Sequence, residues 1–188
     1  MKLYAFALAA IIALAGALAG YTLYFAQPRV PTPPRDGLSP MWTKTEWPFP
    51  SDIWGPGLAY YCAPAHCGRE VVVYLRAKLG FCNCTTTIDD DMVDRVSDID
   101  LLAREREPLG PGRDVKVRAM KGRGRAYLVP ATQTQVRSAL SFALHERCDL
   151  IVATAAISGG QPEADARAVL EFLNSDVVRR WADVTLGL

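Results

Sequence analysis

The stretch that decides the fold runs from residue 131 to residue 157 and reads ATQTQVRSALSFALHERCDLIVATAAI. In its first half, apolar residues recur at the spacing of one helix face: Val136, Ala139, Leu140, Ala143 and Leu144. The second half, Asp149–Ile157, is an unbroken apolar run that SGGQP ends. A strand without a polar face is typical of a sheet that is covered on both sides. We therefore predict a helix followed directly by a buried strand.

Two further helices are predicted after this stretch. Pro162 fits the first turn of a helix that reaches about Leu173. The sequence NSD interrupts that helix, and Ser175 is a suitable N-cap for a last helix ending near Gly187.

The residues before the stretch predict strands and one short helix. Arg69–Phe81 begins with β-branched residues and a tyrosine, which favours a strand. Apolar residues at helical spacing in Met92–Ile99 follow cap-forming Thr and Asp residues. The segments DVKVRAM and RAYLVP predict a hairpin with KGRG as its turn. Together these elements predict an α+β domain with a mixed β-sheet packed by about three helices.

The N-terminal segment predicts a membrane anchor. Residues 3–26 contain no charged residue, and 24 helical residues span about 36 Å, which exceeds the width of a bilayer core. A secretory signal cleaved after the small residues of Ala17–Ala19 is the alternative. The apolar run continues past that position, which favours an uncleaved transmembrane helix with the lipid bilayer as its partner through residues 3–26. Gly16 and Gly20 form a GxxxG pair that suits a homodimer, although such spacings also arise by chance in alanine-rich helices.

Between the anchor and the domain lies a segment rich in proline and tryptophan. Residues 27–57 hold eight of the chain's 13 prolines, and the first part reads as a stiff, extended stalk. The second part carries three tryptophans that either pack on the domain or contact a partner: Trp42, Trp47 and Trp54. We therefore divide the chain into an anchor at 1–26, a stalk and collar at 27–57, and a domain at 58–188.

Four of the five cysteines lie close together as Cys62, Cys67, Cys82 and Cys84. In an oxidising compartment such cysteines form disulfides by default. Bonds that join one pair to the other are easier to form than a small Cys82–Cys84 ring, and a Cys62–Cys67 bond is also open. Four cysteines allow three connectivities, and the sequence does not choose among them. Cys148 is most simply a small buried thiol.

A metal site is the alternative for the same four cysteines. Thiolates suit zinc or copper(I), and His66 beside Cys67 is a further candidate ligand. The C-x2-C spacing of a zinc knuckle is absent. A C-x-C pair also suits disulfide exchange, although no C-x-x-C occurs.

Other catalytic patterns are few. The chain has two histidines and lacks the G-x-S-x-G, H-E-x-x-H, Walker and C-x-x-C-H motifs. His145, near the end of the predicted helix, is interpreted as structural. The acidic run from Asp89 to Asp100 lacks the glycine and the final glutamate of a calcium loop, so we interpret it as a capped helix start.

Charge does not favour a nucleic-acid partner. Beyond Lys2 the chain has 20 basic and 20 acidic residues, so its net charge is zero. The basic run KVRAMKGRGR suits either an anionic lipid or RNA, or an exposed edge strand that charge protects from aggregation, and we favour the edge strand.

These features predict a non-enzymatic protein. The most consistent interpretation is a disulfide-stabilised domain, held at the plasma membrane by one helix and facing the periplasm or the extracellular side. There it would bind an envelope protein or assist its assembly. The alternative is a thiol protein that carries zinc or copper, or exchanges disulfides, through Cys62, Cys67, Cys82 and Cys84.

Overall fold

The predicted helix of the central stretch is a β-strand. The computed structural model describes residues 40–81, 87–132, 135–159 and 162–188, all of which belong to one compact unit, Gly37–Leu188. Within this unit, Arg137–Glu146 pairs residue by residue with Asp149–Ser158. The deciding stretch is therefore an antiparallel hairpin rather than a helix followed by a strand.

The described residues form one sheet of eight strands. Its order is β1-β2-β3-β8-β7-β6-β4, and β5 also pairs with β6. The strands are β1 (Trp42–Thr45), β2 (Leu58–Cys62), β3 (Val71–Lys78), β4 (Glu107–Pro108), β5 (Arg113–Val117), β6 (Met120–Thr132), β7 (Gln135–Glu146) and β8 (Asp149–Ser158). Every pair is antiparallel, so the predicted mixed sheet is wrong. Only two residues separate each strand from the next between β5 and β8, and connections this short join antiparallel neighbours.

The described residues contain few helices, and they lie outside the strand-rich centre. They are α1 (Pro64–Cys67), α2 (Asp90–Val96), α3 (Pro162–Leu173) and α4 (Asp176–Leu186), with a 3₁₀ helix at Asp98–Leu101. The predicted short helix and the two C-terminal helices are confirmed. Ser175 caps α4 as expected, because its hydroxyl accepts a hydrogen bond from the Val178 amide at 3.4 Å.

Strand β7 forms because its large side chains alternate. Leu140, Phe142 and Leu144 all point to the side of the sheet that α3 and α4 cover, here called the C-terminal face. Ala139 and Ala143 point to the opposite side, here called the α2 face, and pack against other core residues there. Apolar residues therefore occupy both faces, and this double burial also produces the helical spacing seen in the sequence.

Strand β8 is buried on both sides, as predicted. Ile151 and Ala155 contribute to the core under α3 and α4, whereas Leu150 and Val152 pack against α2. The two central strands thus join two core layers on opposite faces of one sheet.

The predicted basic hairpin exists, but its turn is displaced. The turn falls at Arg118 and Ala119 between β5 and β6, and KGRG lies inside β6. Gly122 is required there because a Cβ atom would overlap the carbonyl oxygen of Ala143 on β7. The glycines of this run therefore allow a close approach of strands and do not form a turn.

Several predictions fall outside the described residues. These are the anchor at 1–26 with Gly16 and Gly20, the first part of the stalk, and Cys82 and Cys84. Among the helices of the described residues, none has the length and apolar character needed to cross a bilayer.

Candidate anion-binding site beside strand β5

A row of basic side chains crosses three strands on the α2 face. Lys116 of β5 pairs in register with Lys121 of β6, which pairs with His145 of β7. Side chains in register share a face of the sheet, and like charges placed opposite one another are destabilising. Within the described part of the chain, neither lysine forms an ion pair with a carboxylate. The repulsion between the two lysines is therefore not offset by an ion pair with a described carboxylate.

The basic row lines a cavity of about 430 Å³. The lining residues are Thr87, Ile88, Asp114, Val115, Lys116, Lys121, Gly122 and His145. Asp114 is the one carboxylate among these residues, and it accepts a hydrogen bond from Arg123 at 2.8 Å. The two lysines outnumber this one carboxylate, so the cavity, here called the basic cavity, has a net positive lining.

A second carboxylate near the basic cavity, that of Asp90, shares the guanidinium of Arg123 with Asp114. Asp90, in the first turn of α2, forms an ion pair with Arg123 and accepts hydrogen bonds from the Gly112 amide at 3.1 Å. The hydrogen bond from Arg123, followed by the bond from Gly112, holds the pKa of Asp90 below its usual range. These contacts fix α2 against the start of β5.

The C-terminal face carries an apolar groove beside the same strand. Its volume is about 230 Å³, and it lies between β5, β6, β7 and α3. The lining residues are Leu109, Pro111, Arg113, Asp114, Val115, Gly124, Arg125, Ala126, Leu140, Phe142, Ala166 and Leu170. A Cβ atom on Gly124 would come within 2.6 Å of the Phe142 ring, so glycine keeps this floor open.

Strand β5 separates the basic cavity from the apolar groove. Asp114 and Val115 line both spaces. β5 pairs with β6 alone in the described residues, so one of its edges carries no strand. This edge is exposed to solvent at Arg113, Asp114 and Lys116.

A buried ion network lies elsewhere on the α2 face. Arg76 and Lys78 are 3% and 6% exposed, and both contact the carboxylate of Asp98, which is 5% exposed. Arg76 also donates a hydrogen bond to Asp52 at 2.7 Å, and Lys78 donates one to the Val96 carbonyl at 2.7 Å. The network joins β3, the 3₁₀ helix and the segment before β2. Its charges are paired, so we assign it a structural role.

The structure brings two of the predicted disulfide candidates together. Cys62, at the end of β2, is bonded to Cys67 in α1. Cys148, predicted as a buried thiol, is also disulfide-bonded, and its partner lies outside the described residues. A disulfide offers no thiolate, so the four-thiol metal hypothesis requires the Cys62–Cys67 bond to be reduced. Among the described residues, no three side chains of the metal-binding types come together, and Nδ1 of His66 is buried without a hydrogen-bond partner.

The three tryptophans proposed for partner binding pack on the domain. Trp42 of β1 stacks on Phe172 at 4.4 Å between ring centroids. Trp47 packs edge-on against Tyr74 of β3 at 5.9 Å. Trp54 lies near Lys78 and lines an open recess of about 320 Å³.

Two exposed apolar side chains lie at the recess beside Trp54. Ile53 is 90% exposed and Leu79 is 53% exposed, and both line the recess with Trp181 of α4. Exposed apolar side chains around a concavity are typical of a protein contact site.

Comparisons with known proteins supply no relative for this chain. No family model and no curated protein matches the sequence, and no solved structure matches the fold.

Sequence reasoning missed the basic cavity for a specific reason. The run containing Lys116 and Lys121 is visible in the sequence, and an anionic partner is one interpretation of it. The predicted helix places His145 at a helix end, which separates it from the lysines. The alternation of Leu140, Phe142 and Leu144 would have placed His145 on the opposite face of a strand, where the lysines lie.

Proposed function

We propose that this chain is a non-enzymatic binding domain that holds an anionic ligand in the basic cavity. The observation that supports this most directly is the basic row itself. Lys116, Lys121 and His145 lie in register over three strands, and neither lysine has a carboxylate partner among the described residues. A bound anion would offset the repulsion between these side chains and would gain charge-assisted hydrogen bonds.

Titration with inorganic phosphate tests this proposal. We expect the backbone amide signals of β5 and those near Lys121 and His145 to shift in two-dimensional NMR spectra. The double variant Lys116→Gln/Lys121→Gln should weaken binding at least about tenfold, which corresponds to about 1.4 kcal/mol. Lys44→Gln is the matched control, because Lys44 is exposed on β1 at the opposite edge of the sheet. Equal binding by the double variant and the control would contradict the proposal.

We also propose that the domain works in an oxidising compartment, either the periplasm or the extracellular side, beside an envelope protein partner. Cys62, Cys67 and Cys148 are all in disulfides, which supports this location because reducing compartments rarely preserve such bonds. With five cysteines and two disulfides, the unreduced, denatured protein should contain one thiol that reacts with iodoacetamide. Three or more reactive thiols in protein isolated from its native compartment would contradict the proposed location.

A second candidate function is the binding of an apolar side chain of a partner protein in the recess at Trp54. The exposure of Ile53 and Leu79 favours it. A photo-crosslinking residue at Ile53 should give one discrete adduct in cells, and Trp54→Ala should abolish it. The same residue at Val184, which is 84% exposed but does not line the recess, is the control. Matching adducts from both positions would contradict a specific contact.

A further inference from the structure

The edge of β5 that faces away from β6 offers backbone groups for a further strand at Asp114 and Lys116. β5 extends over Arg113–Val117 and uses one edge to pair with β6. For Asp114–Val117, no backbone hydrogen bond in the described residues joins the other edge to a neighbouring segment. An extended peptide can bind such an edge by continuing the ladder of main-chain hydrogen bonds.

The two spaces beside β5 specify the side chains of that peptide. Successive side chains of a strand point to opposite faces of the sheet. On the α2 face they would meet the basic cavity with Lys116 and Lys121, and on the C-terminal face they would meet the apolar groove with Phe142 and Leu170. Complementary side chains are therefore acidic at one set of alternate positions and apolar at the other.

Charge protection of an edge strand does not account for this arrangement. Lysine on an edge strand prevents unwanted pairing, which is the interpretation that the sequence of the basic run favours. Protection does not require an apolar groove on the opposite side of the same strand. At the other edge of the sheet, Trp42 of β1 is stacked on Phe172. β1 lines neither the basic cavity, nor the apolar groove, nor the recess at Trp54.

We propose that the ligand of the basic cavity is a segment of a partner protein that adds to β5 as a strand, with acidic and apolar side chains in alternation. This inference rests on the proposed function, because the acidic side chains would occupy the anion site. The main chain of the segment pairs with β5. The basic cavity binds its acidic side chains, and the apolar groove binds its apolar side chains.

The test uses a capped seven-residue peptide in which glutamate alternates with valine. Its binding to the full chain is followed by fluorescence anisotropy, and the pairing by hydrogen–deuterium exchange of the amides of residues 113–117. We expect slower exchange on β5 but not on β1. We also expect at least tenfold weaker binding by Lys116→Gln/Lys121→Gln and unchanged binding by Lys44→Gln.

Two control peptides test the alternation of side chains and the main-chain pairing with the wild-type protein. One has the same composition with its glutamates and valines in separate blocks, and the other carries N-methyl groups on alternate amides so that it cannot pair. Both should bind at least tenfold more weakly than the alternating peptide. If either control peptide binds equally well, or if protection appears on β1, the strand-addition inference is overturned.

The phosphate titration separates this inference from the proposed function. If inorganic phosphate binds through the lysines and the alternating peptide does not, the anion site stands and strand addition is overturned. If neither phosphate nor the peptide binds, both proposals are overturned.

Discussion

Two glycines of β6 show how single residues set the distance between strands. Gly122 lies against the carbonyl of Ala143, and Gly124 lies against the ring of Phe142. A carbonyl oxygen belongs to the rigid backbone of the hairpin, whereas an aromatic ring can rotate or shift by a small amount. The two positions therefore differ in how much a methyl group will cost.

We expect Gly122→Ala to lower the free energy of unfolding by about 3 kcal/mol, because a strand must move to relieve the overlap. Gly124→Ala should cost only about 1 kcal/mol, since the Phe142 ring can adjust. Urea denaturation of both variants measures the difference. A cost that is equal in the two variants would show that β6 and β7 do not approach each other so closely at Gly122.

The pH dependence of stability should report on Asp90. Arg123 and the Gly112 amide lower the pKa of Asp90 in the folded protein, so folding favours its charged form. The stabilisation is complete above the unfolded pKa, near 3.8, and is lost as the pH falls through the lower folded pKa.

Asp90→Asn should therefore lose less stability than the wild type when the pH is lowered from 5 to 3. Urea midpoints at the two pH values measure this loss. Asp91→Asn, at the exposed neighbouring position, is the control and should follow the wild type. If Asp90→Asn loses as much stability as the wild type between pH 5 and pH 3, the contact with Arg123 does not lower the pKa of Asp90.

At the scale of elements, the sequence predicted the peripheral helices better than the central strands. The helices α2, α3 and α4 have one apolar side and carry recognisable caps such as Ser175, so local patterns were sufficient. β7 is buried on both faces, with Ala139 and Ala143 on the α2 face. In the sequence, these two alanines add to the apolar residues of the other face and produce the spacing of a helix. Spacing alone cannot separate a helix from a strand whose two sides are both apolar.

The candidate site could be predicted only in part for the same reason. Lys116 and Lys121 belong to a hairpin that the sequence predicted, and their basic character was visible. The arrival of His145 beside them depends on the register of β7 with β6, which is a long-range property of the sheet. β1 was also missed, because its four residues pair with β2 in a segment that contains many prolines.

The central strands also contain two hydroxyl groups without partners. Ser141 and Thr154 pair in register on β7 and β8, both are fully buried, and neither side-chain oxygen has a hydrogen-bond partner among the described residues. An unsatisfied buried hydroxyl costs about 1–3 kcal/mol. The double variant Ser141→Ala/Thr154→Val should therefore raise the free energy of unfolding, by about 1 kcal/mol or more. Calorimetric unfolding measures the change, and a loss of stability would show that the hydroxyls are hydrogen-bonded in solution.

At the scale of the whole molecule, the ion network around Asp98 connects parts that are distant in the sequence. It joins β3 to the 3₁₀ helix through Arg76 and Lys78, and to the segment before β2 through Asp52. A buried pair of charges contributes little net stability, but the removal of one partner leaves the other charges buried and unpaired.

Asp98→Asn should therefore lower the free energy of unfolding by about 3–5 kcal/mol. Asp100→Asn is the control, because the Asp100 side chain is 68% exposed in its ion pair with Arg106 and should cost less than about 1 kcal/mol. Urea denaturation of the two variants at neutral pH makes the comparison. Similar small losses would mean that Arg76 and Lys78 find water or other partners when Asp98 is replaced.

The pairing of β3 with β8 has a consequence for biosynthesis. Val71 of β3 lies opposite Ile157 of β8, and residues 72–156 separate the two in the sequence. While the polypeptide is being made, the first three strands have no neighbour on their inner edge until the last of the central strands leaves the ribosome. β3 therefore lacks its central neighbour while residues 79–148 are being made, and a chaperone can bind the apolar strand during that interval.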